Sequence, residues 1–173
     1  MMVFDIEADG LLEDATKIHC LSYRDPNGGP LVSTSDYNAM RNILLNAKGL
    51  IGHNIVRYDV PLLERILGIK IKAQLFDTLP MSWVLNHNRS RHGLDTFGED
   101  FGIPKPVITD WHNLTEEEYI HRCQEDVKIN CELWQDLNGL CLSTKTRQNL
   151  IVSFVTFNLK WTVLKKQSNK GGS

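Results

Sequence analysis

An α/β layered domain is predicted for this chain, on three observations. Short apolar runs of strand character alternate with segments of helical periodicity, the alternation that builds helices onto a sheet. The breaks between them carry turn and helix-stop residues. The 173 residues, 42% hydrophobic and 23% charged, are ordinary globular values and suit one domain with a real core.

Residues 2–6 alternate weakly and are rich in Val, Phe and Ile, and 17–23 (KIHCLSY) and 31–33 follow, divided by the turn signal DPNGG. These three predict an antiparallel meander. Asp36 to Ala47 has apolar residues at helical spacing (Met40, Ile43, Leu44), and GLIGHN after it reads as a buried strand. YDVPLLERILG predicts a helix with Pro61 in its first turn and Gly68 as its stop. Residues 71–76 are a fifth strand ending in Asp77-Thr78, followed by a helix to about Leu85 and another, HGLDTFGEDFG, closed by Gly102 and Pro104.

Thr115-x-x-Glu118 matches a capping box, and Ile120, Cys123, Val127, Cys131, Trp134 and Leu137 recur every three or four residues, predicting an amphipathic helix. Residues 144–168 are mixed apolar and basic, predicting a further helix, and QSNKGGS ends the chain as a flexible tail. The expected organisation is a domain over 1–140 and a C-terminal helix and tail over 141–173.

No apolar run approaches the roughly 18 residues of a membrane span, so no membrane partner is expected. No signal peptide is visible, and Cys20, Cys123, Cys131 and Cys141 form no CxxC pair, so reduced thiols in a cytoplasmic setting are expected. The formal net charge of −2 gives no hint of a nucleic-acid partner; such a surface must be local or must use metal ions as its positive charge.

Three stretches could carry chemistry. In "FDIEADG", Asp5 and Glu7 share one strand face, roughly 6.5 Å apart along the chain, and two such carboxylates repel unless a cation lies between them. Hard oxygen ligands of this kind suit Mg²⁺ or Mn²⁺, although an isolated pair is more often a solvated strand end. In "LIGHNIVRYDVPLL", a strand delivers Asn54 to its carboxyl end and Asp59 begins the next helix, a place where ligand sites of α/β sheets gather. Alone, Asp59 is equally well a helix N-terminal acid and Asn54 a turn residue. In "YIHRCQEDVKINCELW", Asp126 lies on the polar flank of the amphipathic helix, with His121 five residues earlier, although alone this is more often a solvated face with a surface histidine.

In order, spacing and context these stretches resemble the three motifs of the DnaQ-like, or DEDD, 3′-to-5′ exonuclease superfamily, over about residues 2–140. "FDTLPMSWVL" and "RHGLDTFGEDFGIPK" resemble its aspartate-threonine segment and histidine-leucine helix, and the opening "DIEADGLLEDATKIHC" resembles the proofreading domains of phage-type family A DNA polymerases. "FNLKWTVLKKQSNKGG" loosely resembles the segment that leads from that domain toward the polymerase.

The resemblance implies an RNase H-like fold with a mixed five-stranded central sheet and flanking helices. It implies a metal-dependent exonuclease acting on single-stranded or frayed DNA 3′ ends, in a bacterial or phage-infected cell, with a polymerase domain in cis or a separate polymerase as partner. Two Mg²⁺ or Mn²⁺ ions, held roughly 3.5 to 4 Å apart, would clamp the scissile phosphate. By the same resemblance Asp5 would bridge both ions, Glu7 and Asp126 would complete the site of the attacking water, and Asp59 would serve the second ion.

The family orients its water with a histidine five positions before the last aspartate or a tyrosine four before it. Here His121 is at minus five and Arg122 at minus four. On one continuous helix, five residues turn through about 500°, which leaves His121 roughly 140° from Asp126. His121 therefore needs a break, and a short helix ending near Ile120 with a fresh one through Asp126 is expected; otherwise Tyr119 is the fallback. Arg122 is a candidate phosphate ligand, and Leu11, Ile55 and Tyr58, with Asn54, are candidates to wedge or stack against the terminal nucleotide, or else plain core. Two rivals stay open: the same reaction on RNA, as in RNase D and oligoribonuclease types, and a catalytically inactive nucleic-acid-binding module.

Overall fold

A computed structural model describes residues 1–106 and 114–141. Met1–Leu137 form one compact unit and the chain from Asn138 onward falls in a second. The helix expected over 144–168 and the tail lie outside the described residues, as does the side chain of Cys141.

The predicted meander is present as β1 (Met2–Ala8), β2 (Ile18–Arg24) and β3 (Val32–Thr34), antiparallel throughout. On the other side of β1 lie β4 (Gly49–Gly52) and β5 (Gln74–Asp77), both parallel to it, in the order β3-β2-β1-β4-β5. Parallel neighbours need crossovers, and the helices between them supply these. Helix α1 spans Tyr37–Asn46, with the Asp36 side chain accepting from Asn38 N at 2.9 Å, and α2 spans Asp59–Leu67.

Alternation along β1 sorts its side chains. Phe4 and Ile6 join Leu21 from β2 in a core completed by Met40 and Leu44 of α1 and Leu62 and Leu63 of α2. Each such side chain, once buried, contributes about 1.5–3 kcal/mol. Asp5 and Glu7 therefore face the other way, opposite Ser22 and Cys20 of β2. That second face receives the long helix α5 (Glu116–Cys141): Cys123 Sγ donates to the Asp5 carbonyl at 3.2 Å and Gln124 Nε2 to Ser33 Oγ at 2.9 Å.

Helices α3 (Thr78–Leu85) and α4 (Leu94–Phe101) follow β5. Gly102 ends α4 at φ 69°, a left-handed conformation that glycine adopts without strain. The capping box is formed: Thr115 N donates to Glu118 Oε2 at 2.8 Å and Glu118 N to Thr115 Oγ1 at 3.2 Å. Cys20, Cys123 and Cys131 are free and buried, and no helix among the described residues is long and apolar enough to cross a membrane.

One expectation is corrected. Helix α5 runs unbroken from Glu116 to Cys141, with no end near Ile120. Neither glycine nor proline occurs between Thr115 and Asn138, and three glutamates in the first turn complement the helix dipole, so nothing local interrupts it.

Candidate active site

The carboxyl ends of the parallel strands β1, β4 and β5 meet beside α5, and the candidate acids gather there. Asp5, Glu7 and Asp126 bring one carboxylate oxygen each within 4.8 Å of one another. Asp59 is buried at the start of α2, outside that tight trio among the described residues, and its charge acts on Asp5.

The loop that delivers Asp59 is built from its own backbone. Asn54 sits at φ 64°, in the left-handed region that asparagine tolerates better than most residues other than glycine, and its carbonyl accepts from Arg57 N and Tyr58 N at 3.2 and 3.1 Å. Asp77, at the end of β5, fastens this loop: its carboxylate accepts from Asn54 N at 2.8 Å and Val56 N at 3.0 Å, and caps α3 through Leu79 N at 3.1 Å. Beside it Thr78 Oγ1 donates to Asn130 Oδ1 of α5 at 2.8 Å, with His53 Nδ1 3.0 Å away. The aspartate-threonine pair thus ties β5, the second motif and α5 together.

Electrostatically the cluster is hostile to its own charge. Burial, then Asp126, Asp59 and Glu7, push the Asp5 carboxyl well above the usual range. Burial pushes Glu7 up to about 7 against the pull of Arg122, and Asp59 up to about 8. Asp126 is also raised by burial, opposed by Lys105. Two basic side chains enter the cluster: Lys105 Nζ lies 2.7 Å from Asp126 Oδ2 and Arg122 Nε 2.8 Å from Glu7 Oε1.

These residues fit a divalent cation. The donors are hard oxygens, and Asp126 Oδ1 is buried with no hydrogen-bond partner, an orphaned acceptor on one member of the trio. Asp5, Glu7 and Asp126 would hold such an ion.

The remaining candidates separate. His121 is 62% exposed, with Nδ1 3.8 Å from Glu125 Oε1, on the side of α5 that the unbroken helix dictates. Tyr119 is half-buried, its ring stacked on His19 at 3.8 Å between centroids and 7° between planes, and its hydroxyl feels the charge of Glu7. Ile55 is 1% exposed and belongs to the core, which corrects its reading as a stacking surface: the turn at Asn54 folds it inward. Leu11 is 76% exposed on a loop held by Tyr58 Oη donating to Gly10 O at 2.6 Å and by Arg65 Nη2 donating to Leu12 O and Ala15 O. Sequence reasoning missed Lys105, since a lone lysine after a helix stop carries no signal of its partner.

The strand order and the covering helices give an α/β domain of the RNase H-like fold, with acids gathered at the strand ends. Within that class the chain is related in sequence to phage DNA polymerases. It is 34% identical over 101 residues to the DNA-directed DNA polymerase of Escherichia phage T7, and equally to that of Enterobacteria phage T3. The matched stretch covers 51% of this chain and 14% of either polymerase, so the chain answers to a small part of those relatives. In structure it resembles Brucella melitensis NrnC, with a TM-score of 0.71 at 18% identity over 99% of this chain and 88% of that one. NrnC with bound Mg²⁺ gives 0.69 at 17% identity over the same shares. No family model matches the chain.

Proposed function

We propose that this chain is a divalent-metal-dependent 3′-to-5′ exonuclease acting on single-stranded or frayed DNA ends. The observation that carries the reading is the convergence of Asp5, Glu7 and Asp126 at the ends of parallel strands, with buried Asp59 beside them. Three acids sharing so small a volume, with the charge of a fourth acting on them, are costly in a metal-free protein and suit a task that requires cations.

Two Mg²⁺ or Mn²⁺ ions bound there supply Lewis acidity toward the phosphodiester and make water a nucleophile near neutral pH. The chain's own residues do the rest. Asp5, Glu7 and Asp126 would hold one such ion, and Asp59 would serve the second. Arg122, on the rim of the trio beside Glu7, neutralises charge on the incoming strand. Leu11, projecting from a loop braced by Tyr58 and Arg65, separates the terminal base from its neighbour. In an unbroken α5, Tyr119 lies two turns before Asp126 on the same helix face and would orient the water in place of His121.

A second reading keeps the chemistry and changes the sugar. One solved structure of NrnC, with a TM-score of 0.59 to this chain, is bound to pGG, and no residue here is assigned to a 2′-hydroxyl. Matched DNA and RNA oligonucleotides labelled at the 5′ end, digested with Mg²⁺ or with chelator, separate the readings. Metal-dependent shortening of the DNA ladder from the 3′ end is the expected result. Faster loss of RNA would establish the second reading, and no shortening of either strand would sink both. The phage polymerases suggest a polymerase partner, in cis or separate; co-purification with the host polymerase is the check.

A further inference from the structure

The two cations in the acid cluster come from different places. Arg122 lies on α5 one turn before Asp126 and moves with that helix. Lys105 comes from the segment after Gly102 and reaches Asp126 from outside α5, with its side chain 21% exposed and that of Asp126 6% exposed. Asp126 is therefore satisfied on one oxygen by an ammonium from another element, while Oδ1 is buried with no hydrogen bond.

An ion entering among Asp5, Glu7 and Asp126 meets that ammonium at its own ligand. A dication and an ammonium at such a distance in a partly buried site repel strongly, so either the ion binds weakly or the lysine leaves. Lysine suits departure: its charge sits on a flexible four-carbon stem, is strongly hydrated, and forms no rigid two-pronged pair. Enough of the side chain is already exposed for water to receive it.

We propose that Lys105 is a positioning residue, a built-in counter-ion that holds Asp126 in the metal-free protein and is displaced from it when a divalent ion enters. This rests on the metal-site reading of the trio and adds to it a competition between one side chain and the ion. Metal affinity is then set by the lysine as well as by the acids. Arg122 stays with Glu7 and keeps part of the charge balanced in both states.

The test uses the full chain and two readouts. Amine acylation followed by mass spectrometry measures the reactivity of Lys105 with and without saturating Mg²⁺, with Lys70, whose side chain is 77% exposed, as the internal reference. Calorimetric titration with Mn²⁺ in alkaline buffer, which keeps the acids ionised, compares the wild type with Lys105→Met and Lys105→Gln.

Displacement requires Lys105 to acylate several-fold faster with metal while Lys70 is unchanged, and the variants to bind Mn²⁺ about tenfold tighter. If Lys105 stays protected in metal-saturated protein, or the variants bind no tighter, Lys105 is a fixed salt bridge and the proposal is overturned with the metal site intact. If the wild type binds no Mn²⁺, the site reading falls and this inference falls with it. Labelling needs no variant, so failure of either substitution to fold leaves the question decidable.

Discussion

Asp5 sits where its own charge is least welcome, half-buried on β1, desolvated and surrounded by the fields of Asp126, Asp59 and Glu7. Removing that charge while keeping the shape separates stability from function. Asp5→Asn is expected to raise the melting temperature of the metal-free protein by about 2–4 °C, the response to roughly 1 kcal/mol in a chain of this size, and to cut hydrolysis at least about a hundredfold. Thermal melts in chelator and a gel assay in Mg²⁺ check the two halves; an active Asp5→Asn variant would falsify the site assignment. The neighbouring question is which side chain serves the water. Tyr119→Phe is expected to lower kcat about tenfold or more, within reach of general-base and positioning effects, and His121→Ala less than about threefold, because His121 faces Glu125 and solvent. The reverse ranking would show that the cluster works in a conformation in which α5 is broken.

At the scale of the element, the joints matter more than the rods. Asp77 satisfies three backbone N–H groups, two from the loop of the second motif and one from α3. Asp77→Ala leaves them without their partner and is expected to cost about 2–3 kcal/mol, read as a lower denaturation midpoint, and to reduce metal affinity because Asp59 rides on the same loop. Gly98 is a second joint. A Cβ there would stand 2.5 Å from the Ile103 carbonyl oxygen, a backbone atom in the turn that leads to Lys105. Gly98→Ala is expected to cost about 1–3 kcal/mol, again by denaturation. The elements themselves were legible in the sequence because each carries its own local signals. Asp36 and Asp77 cap helices, Gly68 and Gly102 end them, and the DPNGG turn divides the second and third strands of the meander. The break in α5 was read from the capping signal at Thr115, which starts this helix but does not end it, since no glycine or proline between Thr115 and Asn138 interrupts it. Ile55 was open to two readings, wedge or plain core, and its burial puts it in the core. The meeting of Lys105 with Asp126 was illegible because it joins the segment after α4 to the middle of α5, a tertiary contact with no periodicity to announce it.

For the whole molecule, the acid cluster makes stability a function of pH and metal together. The overall charge is only −2, yet the folded chain concentrates four acids at one end of the sheet. Glu7 is pushed up to about 7 and Asp59 up to about 8, and Asp5 and Asp126 are raised as well. In the unfolded chain these groups return to about 4. Between those limits the folded protein holds more protons than the unfolded one, so the free energy of unfolding falls as pH rises through that window. Asp9, held down to about 2 mainly by the Thr16 hydroxyl, acts in the opposite sense, but its contribution is lost only in stronger acid. Metal binding replaces protons at the same oxygens and removes the penalty, and a ligand at a hundredfold excess over its Kd adds about 2.7 kcal/mol. The melting temperature in chelator is therefore expected to fall steadily from about pH 5 to about pH 9, while the increment produced by Mn²⁺ grows over the same interval. Asp5→Asn should flatten the first slope and shrink the second, because it removes one titrating member and one ligand at once. A melting temperature in chelator that rises across the window would mean that the acids are paired and ionised without metal, and the cluster would then be a salt-bridge network built for stability.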